Sequence, residues 1–296
     1  MKKKILVLGA SGLVGSHFSQ NSSDYILALP TSSELDITNE KNISEYLNTF
    51  NPEWIINFAA FTNVDEAELE RGNENGPVWQ KNYLAVKNIL SCFKSKNYIQ
   101  ISTNMVFPGD LSFPGPYAED DTLPQTSENL TWYGWSKNRA EALVTERGGV
   151  ILRINHPVRV EQNYKPDVIR NLLQKISEKK ISTLFNDQQI AISYIPEITK
   201  TLKLIIEQEV YGTYHCSSDT TTPYELLSWT LKELGSDFQL GECSVKDSEK
   251  YKQNPNRYPL YGGLKVKKTE DLLETHFATW QTIVEYLIGS GLKLPK

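Results

Sequence analysis

The chain opens with Lys4 to Leu8, a run that is aliphatic at every position after the lysine. A strand covered on both faces reads this way, because neither side of its pleat meets water. Gly9 ends the run, and Leu13 to Phe18 begins a helix. The alternation then repeats. Tyr25 to Leu29 reads as a strand. Ile43, Tyr46, Leu47 and Phe50 recur at helical spacing and stop near Asn51-Pro52. Trp54 to Ala60 is a buried strand, Val78 to Phe93 a helix, and Tyr98 to Ser102 a fourth strand. Residues 107–131 carry four Pro and two Gly, which predicts a long loop. A loop of that length more commonly covers a site than idles. Trp132 to Thr145 is the next helix, and Val150 to Ile154 the strand after it. Strands alternating with helices predict an α/β fold, a doubly wound parallel sheet of the Rossmann type.

After Ile154 the pattern loosens. Val168 to Ile176 reads as helix, Ile181 to Phe185 as extended, Ile195 to Glu207 as helix and Val210 to Cys216 as a further sheet strand. Pro223 to Leu234 and Thr279 to Ile288 are helical, and residues 241–263 are polar. The expected organisation is a dinucleotide-binding domain over 1–154 plus about 183–216. A smaller C-terminal α/β substrate lobe, about 155–182 plus 217–296, would lie over the strand ends.

Gly9, Ser11, Gly12, Leu13 and Gly15 lie where the first strand hands over to the first helix. In a phosphate cradle the first glycine permits the tight turn, the second lets a pyrophosphate approach the backbone, and the third lets helix pack on strand. The helix N-terminus presents N–H groups and the positive end of its dipole to that anion. The spacing is GxxGxxG rather than GxGxxG, so its place inside a βαβ pattern carries the reading. The second strand runs into Ala28-Leu-Pro-Thr31-Ser32-Ser33, with no acid at the strand end to hold a ribose 2′-OH and no Arg. Hydroxyls there suit a 2′-phosphate, so NADP(H) is weakly favoured over NAD(H). Asp36-Ile37 follows, and either approaches the adenine end or caps the next helix.

Tyr133 and Lys137 are four residues apart, on one helical face about 6 Å apart along the axis. A phenol with an ordinary value near 10 does little proton transfer at neutral pH unless a neighbouring ammonium stabilises its anion. Lys137 also suits the nicotinamide ribose. Thr103, at the end of the fourth strand, is placed to donate to a carbonyl oxygen as hydride arrives. Singly, each has an ordinary role: a half-buried tyrosine, a solvated lysine, a hydroxyl satisfied by backbone. In this order after a phosphate cradle, they point to a hydride-transferring enzyme.

Bulk properties narrow the field. The chain has 296 residues and a net charge of −5, which argues against a nucleic-acid partner. No apolar run is long enough for a membrane span. Three cysteines without CxxC spacing and four histidines outside any HxxxH pattern argue for a reducing, cytoplasmic setting and no metal.

At this point the chain resembles the extended short-chain dehydrogenase/reductases, and more narrowly the dTDP-4-dehydrorhamnose reductase group. The resemblance is carried by Gly9-x-x-Gly12-x-x-Gly15, Asp36-Ile37, and Asn57-Phe-Ala59-Ala60-Phe-Thr62-Asn-Val64-Asp65-Glu-Ala67-Glu68. It continues with Asn82, Ile101-Ser102-Thr103-x-x-Val106-Phe107 and Tyr133-Gly134-x-Ser136-Lys137-x-x-x-Glu141. Phe185-Asn186-Asp187-Gln188 and Gly212-x-Tyr214-His215 follow in order. It implies that Ala59, Ala60 and Thr62 line the cofactor groove, with Thr103, Tyr133 and Lys137 as the reacting set. Thr62 and Val64 would face the sugar, and Arg257 would contact a diphosphate or stand as a solvated loop arginine.

The implied activity is reduction of a nucleotide-linked 4-keto-6-deoxy sugar for surface polysaccharide synthesis, with Tyr133 as proton donor. The implied partner is a nucleotide-diphosphate sugar, and a homodimer is left open. The alternatives within the superfamily are a non-catalytic NAD(P)-binding regulatory subunit and a nucleotide-sugar epimerase. The chain also departs from the group. Asn104 and Met105 stand where Asp and Tyr are usual, and Ile154-Asn155-His156-Pro157 stands where Thr-Ser-Trp-Val is common. These changes fall on the expected sugar side, where His156 either replaces a stacking ring or caps a strand.

Overall fold

A computed structural model describes residues 1–161 and 165–295. The chain divides into two compact units. One comprises 1–107, 122–153 and 199–214, and the other comprises 108–121, 154–198 and 215–296. The division differs from the one expected from sequence in two places. Residues 183–198 go with the second unit because Thr183–Phe185 pairs with Gly241–Cys243 in a separate two-stranded sheet. The first half of the long loop also goes there. Its Gly115 N–H donates to Tyr261 O (2.9 Å), its Tyr117 N–H to Gly263 O (3.1 Å), and Glu119 accepts from Thr269 N–H and Oγ1. The expected covering flap is therefore tied down over its first half.

The first unit begins with β1 (Lys4–Leu8), α1 (Leu13–Gln20), β2 (Ile26–Ala28), α2 (Glu40–Phe50) and β3 (Trp54–Asn57). A short helix α3 (Val64–Leu69) was not expected from the sequence. The helix expected over 78–93 is three pieces: α4 (Pro77–Trp79), a π turn over Gln80–Leu84, and α5 (Ala85–Cys92). Then come β4 (Tyr98–Thr103), α6 (Trp132–Arg147) and β5 (Val150–Ile154). The strand Gly212–Cys216 completes a sheet of order β2-β1-β3-β4-β5 and then Gly212–Cys216. β1 pairs in parallel with both β2 and β3, and β3 with β4.

Strand order reverses between β1 and β3, and in such sheets ligands bind beyond the strand ends at that reversal. Period-2 geometry sorts the strand residues. Leu6, Leu8, Ile55, Tyr98 and Ile151 pack with Ile43 and Leu47 of α2, Val86 and Ile89 of α5 and Ala140 and Val144 of α6. α1 meets the helix Ile195–Gln208 through His17 Nδ1 and Thr199 Oγ1, 2.8 Å apart. α6 is fixed to β5 by a buried ion pair. Arg153 Nη2 lies 2.7 Å from Glu141 Oε2, and the guanidinium sits 4.8 Å from the Phe107 ring centre.

The second unit has its own core, in which the helices Val168–Ser177, Pro223–Glu233 and Trp280–Gly289 bring together Leu173, Leu227, Trp280 and Ile283. Pro157–Val158 pairs with Ser193–Tyr194 in a second small sheet. Among the described residues, no helix is long and apolar enough to cross a membrane.

Removing one partner of a buried ion pair strands the other charge in a dry site. Glu141→Ala is therefore expected to lower the unfolding free energy by about 3–5 kcal/mol, read by chemical denaturation. A change under about 1 kcal/mol, the size typical of a surface pair, would show that the pair does not hold α6 in place.

Candidate active site

Three backbone turns converge in the first unit. Gly9 has φ +74°, and a Cβ there would lie 2.6 Å from Ala59 N, so the turn after β1 rests directly on the turn after β3. A Cβ on Gly15 would lie 2.4 Å from Gly9 O, which is why α1 can sit down on that turn. Gly12 is different. It is exposed, it caps α1 with no side-chain hydrogen bond, and a Cβ there would meet only Gly9 O, at 3.2 Å. The glycines thus leave an uncapped helix N-terminus with bare backbone at the strand-order reversal, which fits a dinucleotide pyrophosphate. Ser11 is exposed and Leu13 is half-buried beside it. Ala59 and Ala60 are half-buried, and Ala59 N–H donates to the buried Asn57 Oδ1 (3.0 Å).

The next layer holds the backbone after β3. Asn82, buried on the π turn, accepts from Phe61 N–H (2.7 Å) and donates to Phe61 O (3.0 Å) and Ser136 Oγ (2.9 Å). One amide therefore joins the strand after Ala60 to the helix that carries Tyr133. π turns are frequent where such a side chain is needed inside a helix. Thr62 is exposed, and Val64 packs with Phe61, Met105, Trp132 and Tyr133.

α6 starts at Trp132. Thr131 Oγ1 accepts from Gly134 N–H (2.9 Å), and the Glu68 carboxylate accepts from Trp132 N–H. A Cβ on Gly134 would stand 2.1 Å from Met105 O, so only glycine lets this first turn close on the backbone after β4. That closure brings Tyr133 beside Thr103, whose hydroxyl favours the ionised form of the phenol. Thr103 Oγ1 also accepts from Met105 N–H (3.2 Å) and donates to Asn104 Oδ1 (3.3 Å). Lys137 Nζ, buried, donates to Ile101 O (2.6 Å).

The electrostatics differ from the sequence expectation in one respect. Burial pushes the Tyr133 phenol up to about 12, opposed by the Thr103 hydroxyl, rather than the Lys137 ammonium pulling it down. The phenol is thus neutral and proton-bearing. Burial holds Lys137 down at about 8, opposed by the Glu141 carboxylate one turn on. Asn104 and Met105 are half-buried in the turn after Thr103.

The β2 end also differs. The sequence shows no acid at the strand end, yet Glu34 folds back so that its carboxylate accepts from Thr31 N–H and Oγ1, both at 2.8 Å. Asp36 does not cap α2. It accepts from Thr38 N–H and Oγ1, while Asn39 is the cap, and Ile37 packs against the core. His156 and Arg257 belong to the second unit. His156 is exposed at a corner with φ 22°, and Arg257 is half-buried in a 3₁₀ turn. Asn155 is committed to structure, donating from its backbone N–H to Ser193 Oγ and from Nδ2 to Ser217 Oγ.

Gly134 and Glu34 were not singled out for these parts in the sequence. A glycine inside a helix costs about 1 kcal/mol against alanine and so asks for a packing reason. Thr31-x-x-Glu34 has capping-box spacing.

The RmlD substrate binding domain model matches residues 2–291. The chain belongs to that family, within the extended short-chain dehydrogenase/reductases. A dTDP-4-dehydrorhamnose reductase of Aggregatibacter actinomycetemcomitans is 30% identical over 230 residues, covering 73% of this chain and 74% of that protein. The fold matches a dTDP-4-dehydrorhamnose reductase of Bacillus anthracis solved with NADP, with TM-score 0.82 and 22% identity, over 97% of this chain and 99% of that one. It also matches the Bordetella bronchiseptica enzyme WbmH solved with NAD+, with TM-score 0.72 and 16% identity, over 97% and 98% of the two chains.

Two outcomes follow from the geometry. Gly12→Val should fold, as read by circular dichroism, yet bind NAD+ at least tenfold more weakly, because its branches occupy the bare cradle. Gly15→Val should instead destabilise the fold, since its Cβ meets backbone. Equal NAD+ affinity in wild type and Gly12→Val would dismiss the cradle.

The second outcome concerns pH. Lys137 is held below its ordinary value, so it is charged below about 8 and neutral above. If it holds the ribose, NAD+ affinity should fall as pH rises through about 8, and Lys137→Met should abolish that inflection. Affinity that stays flat in the wild type well above that pH would remove Lys137 from cofactor binding.

Proposed function

We propose that this chain is an NAD(P)H-dependent reductase of a nucleotide-linked 4-keto-6-deoxy sugar, with Tyr133 as the proton donor. The observation that carries the reading is the buried, neutral Tyr133 hydroxyl beside Thr103, one helical turn from buried Lys137, in the same unit as the bare glycine cradle. Family membership and the named activity of the Aggregatibacter relative support it.

The dinucleotide, when bound, supplies the hydride that converts the keto carbon to an alcohol. The chain's own residues manage the oxygen. Tyr133 gives its phenolic proton to the developing alkoxide, and Thr103 donates a hydrogen bond to the same oxygen. Lys137, charged below about pH 8, holds the ribose and offsets the phenolate that remains until solvent returns a proton. Ala59 and Ala60 give the nicotinamide side a smooth wall. Thr62, Val64, Asn104 and Met105 face the sugar. The apolar group of Phe61, Val64, Met105 and Trp135 around Tyr133 suits a deoxygenated sugar face better than a fully hydroxylated one.

The test is a panel of dTDP-, UDP-, GDP- and CDP-linked 4-keto sugars with NADPH and NADH, following nicotinamide absorbance. Turnover with at least one member is expected, falling about 10²–10⁴-fold in Tyr133→Phe while NAD+ binding persists. Full activity in Tyr133→Phe would end the proton-donor assignment. An inert panel with intact dinucleotide binding would leave a binding subunit instead.

A further inference from the structure

We infer that the Glu34 carboxylate, seated on the Thr31 amide and hydroxyl just beyond β2, sets how far this chain tolerates a ribose 2′-phosphate, and so its choice between the two nicotinamide dinucleotides. The inference rests on the dinucleotide reading above and adds to it a residue outside the reacting set.

The end of the second strand is where this class of fold meets the adenosine ribose. An acid there pairs with a 2′-OH, and a cation there accommodates a 2′-phosphate. After Ala28 the chain offers three hydroxyl residues, Thr31, Ser32 and Ser33, which taken alone suit a phosphate. The fold gives the Thr31 donors to something else. Glu34 Oε2 accepts from Thr31 N–H and from Thr31 Oγ1, both at 2.8 Å, and Ser33 Oγ lies 2.9 Å from Thr31 Oγ1. Glu34 N–H and Leu35 N–H return to Thr31 O, which closes the turn. An anion of the chain therefore already occupies the Thr31 donors that a 2′-phosphate would use. The Thr31 amide, then its hydroxyl, hold the Glu34 carboxyl below its usual range, so it stays charged at neutral pH.

No compensating cation stands on the same segment. Residues 29–39 contain no Lys or Arg. The other acid, Asp36, is spent on Thr38 N–H and Oγ1. A phosphate entering here meets a carboxylate with no Lys or Arg on residues 29–39 to offset it, and must displace it from Thr31. A ribose 2′-OH meets an acceptor it can donate to.

A plain structural role for Glu34 is the capping of a one-turn element, because Thr31-x-x-Glu34 has capping-box spacing. The two roles separate cleanly. Gln serves as well as Glu at that position of a capping box, so Glu34→Gln keeps the turn and removes only the charge.

The experiment is titration calorimetry of NAD+ and NADP+ with the purified full chain, wild type and Glu34→Gln, at low and high salt. The expected result is that the ratio Kd(NADP+)/Kd(NAD+) falls roughly five- to tenfold in Glu34→Gln, as suits exposed charges within one Debye length. The difference between the two proteins should shrink at high salt. Circular dichroism and thermal melting should be unchanged. If both dinucleotides bind the wild type and the ratio is the same in Glu34→Gln, Glu34 is a turn cap alone and the inference fails. If neither dinucleotide binds the wild type, the dinucleotide reading itself fails, and this inference with it.

Discussion

The closure of α6 on the backbone after β4 is the contact on which the site depends. It exists because residue 134 is glycine, since any Cβ would stand 2.1 Å from Met105 O. A chain that puts glycine in the first turn of a helix gives up helix propensity. It recovers order through Thr131, which caps the turn, and through Glu68, which receives the Trp132 amide. Stacking of Trp132 on Trp79 at 5.1 Å supports the same turn from its apolar side. With the turn so fixed, Tyr133 stands beside Thr103. The placement of Tyr133 is thus a consequence of backbone packing rather than of the tyrosine's own side-chain freedom.

Burial then decides the protonation states. A phenol removed from water resists losing its proton, and a lysine removed from water resists keeping one. The structure shows both directions within one helical turn, about 12 for Tyr133 and about 8 for Lys137. Glu141 works against the lysine's loss, and Arg153 in turn steadies Glu141. The sequence spacing suggests that Lys137 would depress Tyr133, but in the fold the ammonium is turned to Ile101 O. For a reduction this is the useful arrangement. The acid must carry its proton until charge develops on the substrate oxygen, and only then does a nearby cation help.

Much of this was legible in the residues, and the rest was hidden for definite reasons. β1, α2, β5 and the helix Ile195–Gln208 follow from aliphatic runs and 3.6-residue spacing, because their faces are buried in one consistent direction. β3 is shorter than its apolar run, since Phe58 to Ala60 leave the sheet to meet the Gly9 turn. The π turn at Asn82 is invisible to periodicity, because its extra residue is set by hydrogen bonds to Phe61 and Ser136 far away in sequence. Thr183–Phe185 read as extended correctly, but its partner, Gly241–Cys243, lies in a polar stretch with no strand pattern. Glu34 is not legible as such an acid, because it lies beyond the strand end and only a tight turn carries its carboxylate back to Thr31.

The departures from the family pattern bear on the same hydroxyl. Thr103 Oγ1 donates to Asn104 Oδ1 at 3.3 Å, a long bond to a neutral acceptor. An aspartate there, as the resemblance leads one to expect, would hold that proton by a charge-assisted bond roughly twice as strong. It would also place an anion beside the oxygen on which negative charge develops. The amide avoids both effects. Thr103 is left loosely engaged, so that turning its proton from Asn104 toward an incoming carbonyl costs little. In the proposed reaction, Asn104 therefore weakens a competitor for the Thr103 proton while leaving Thr103, Tyr133 and Lys137 in place.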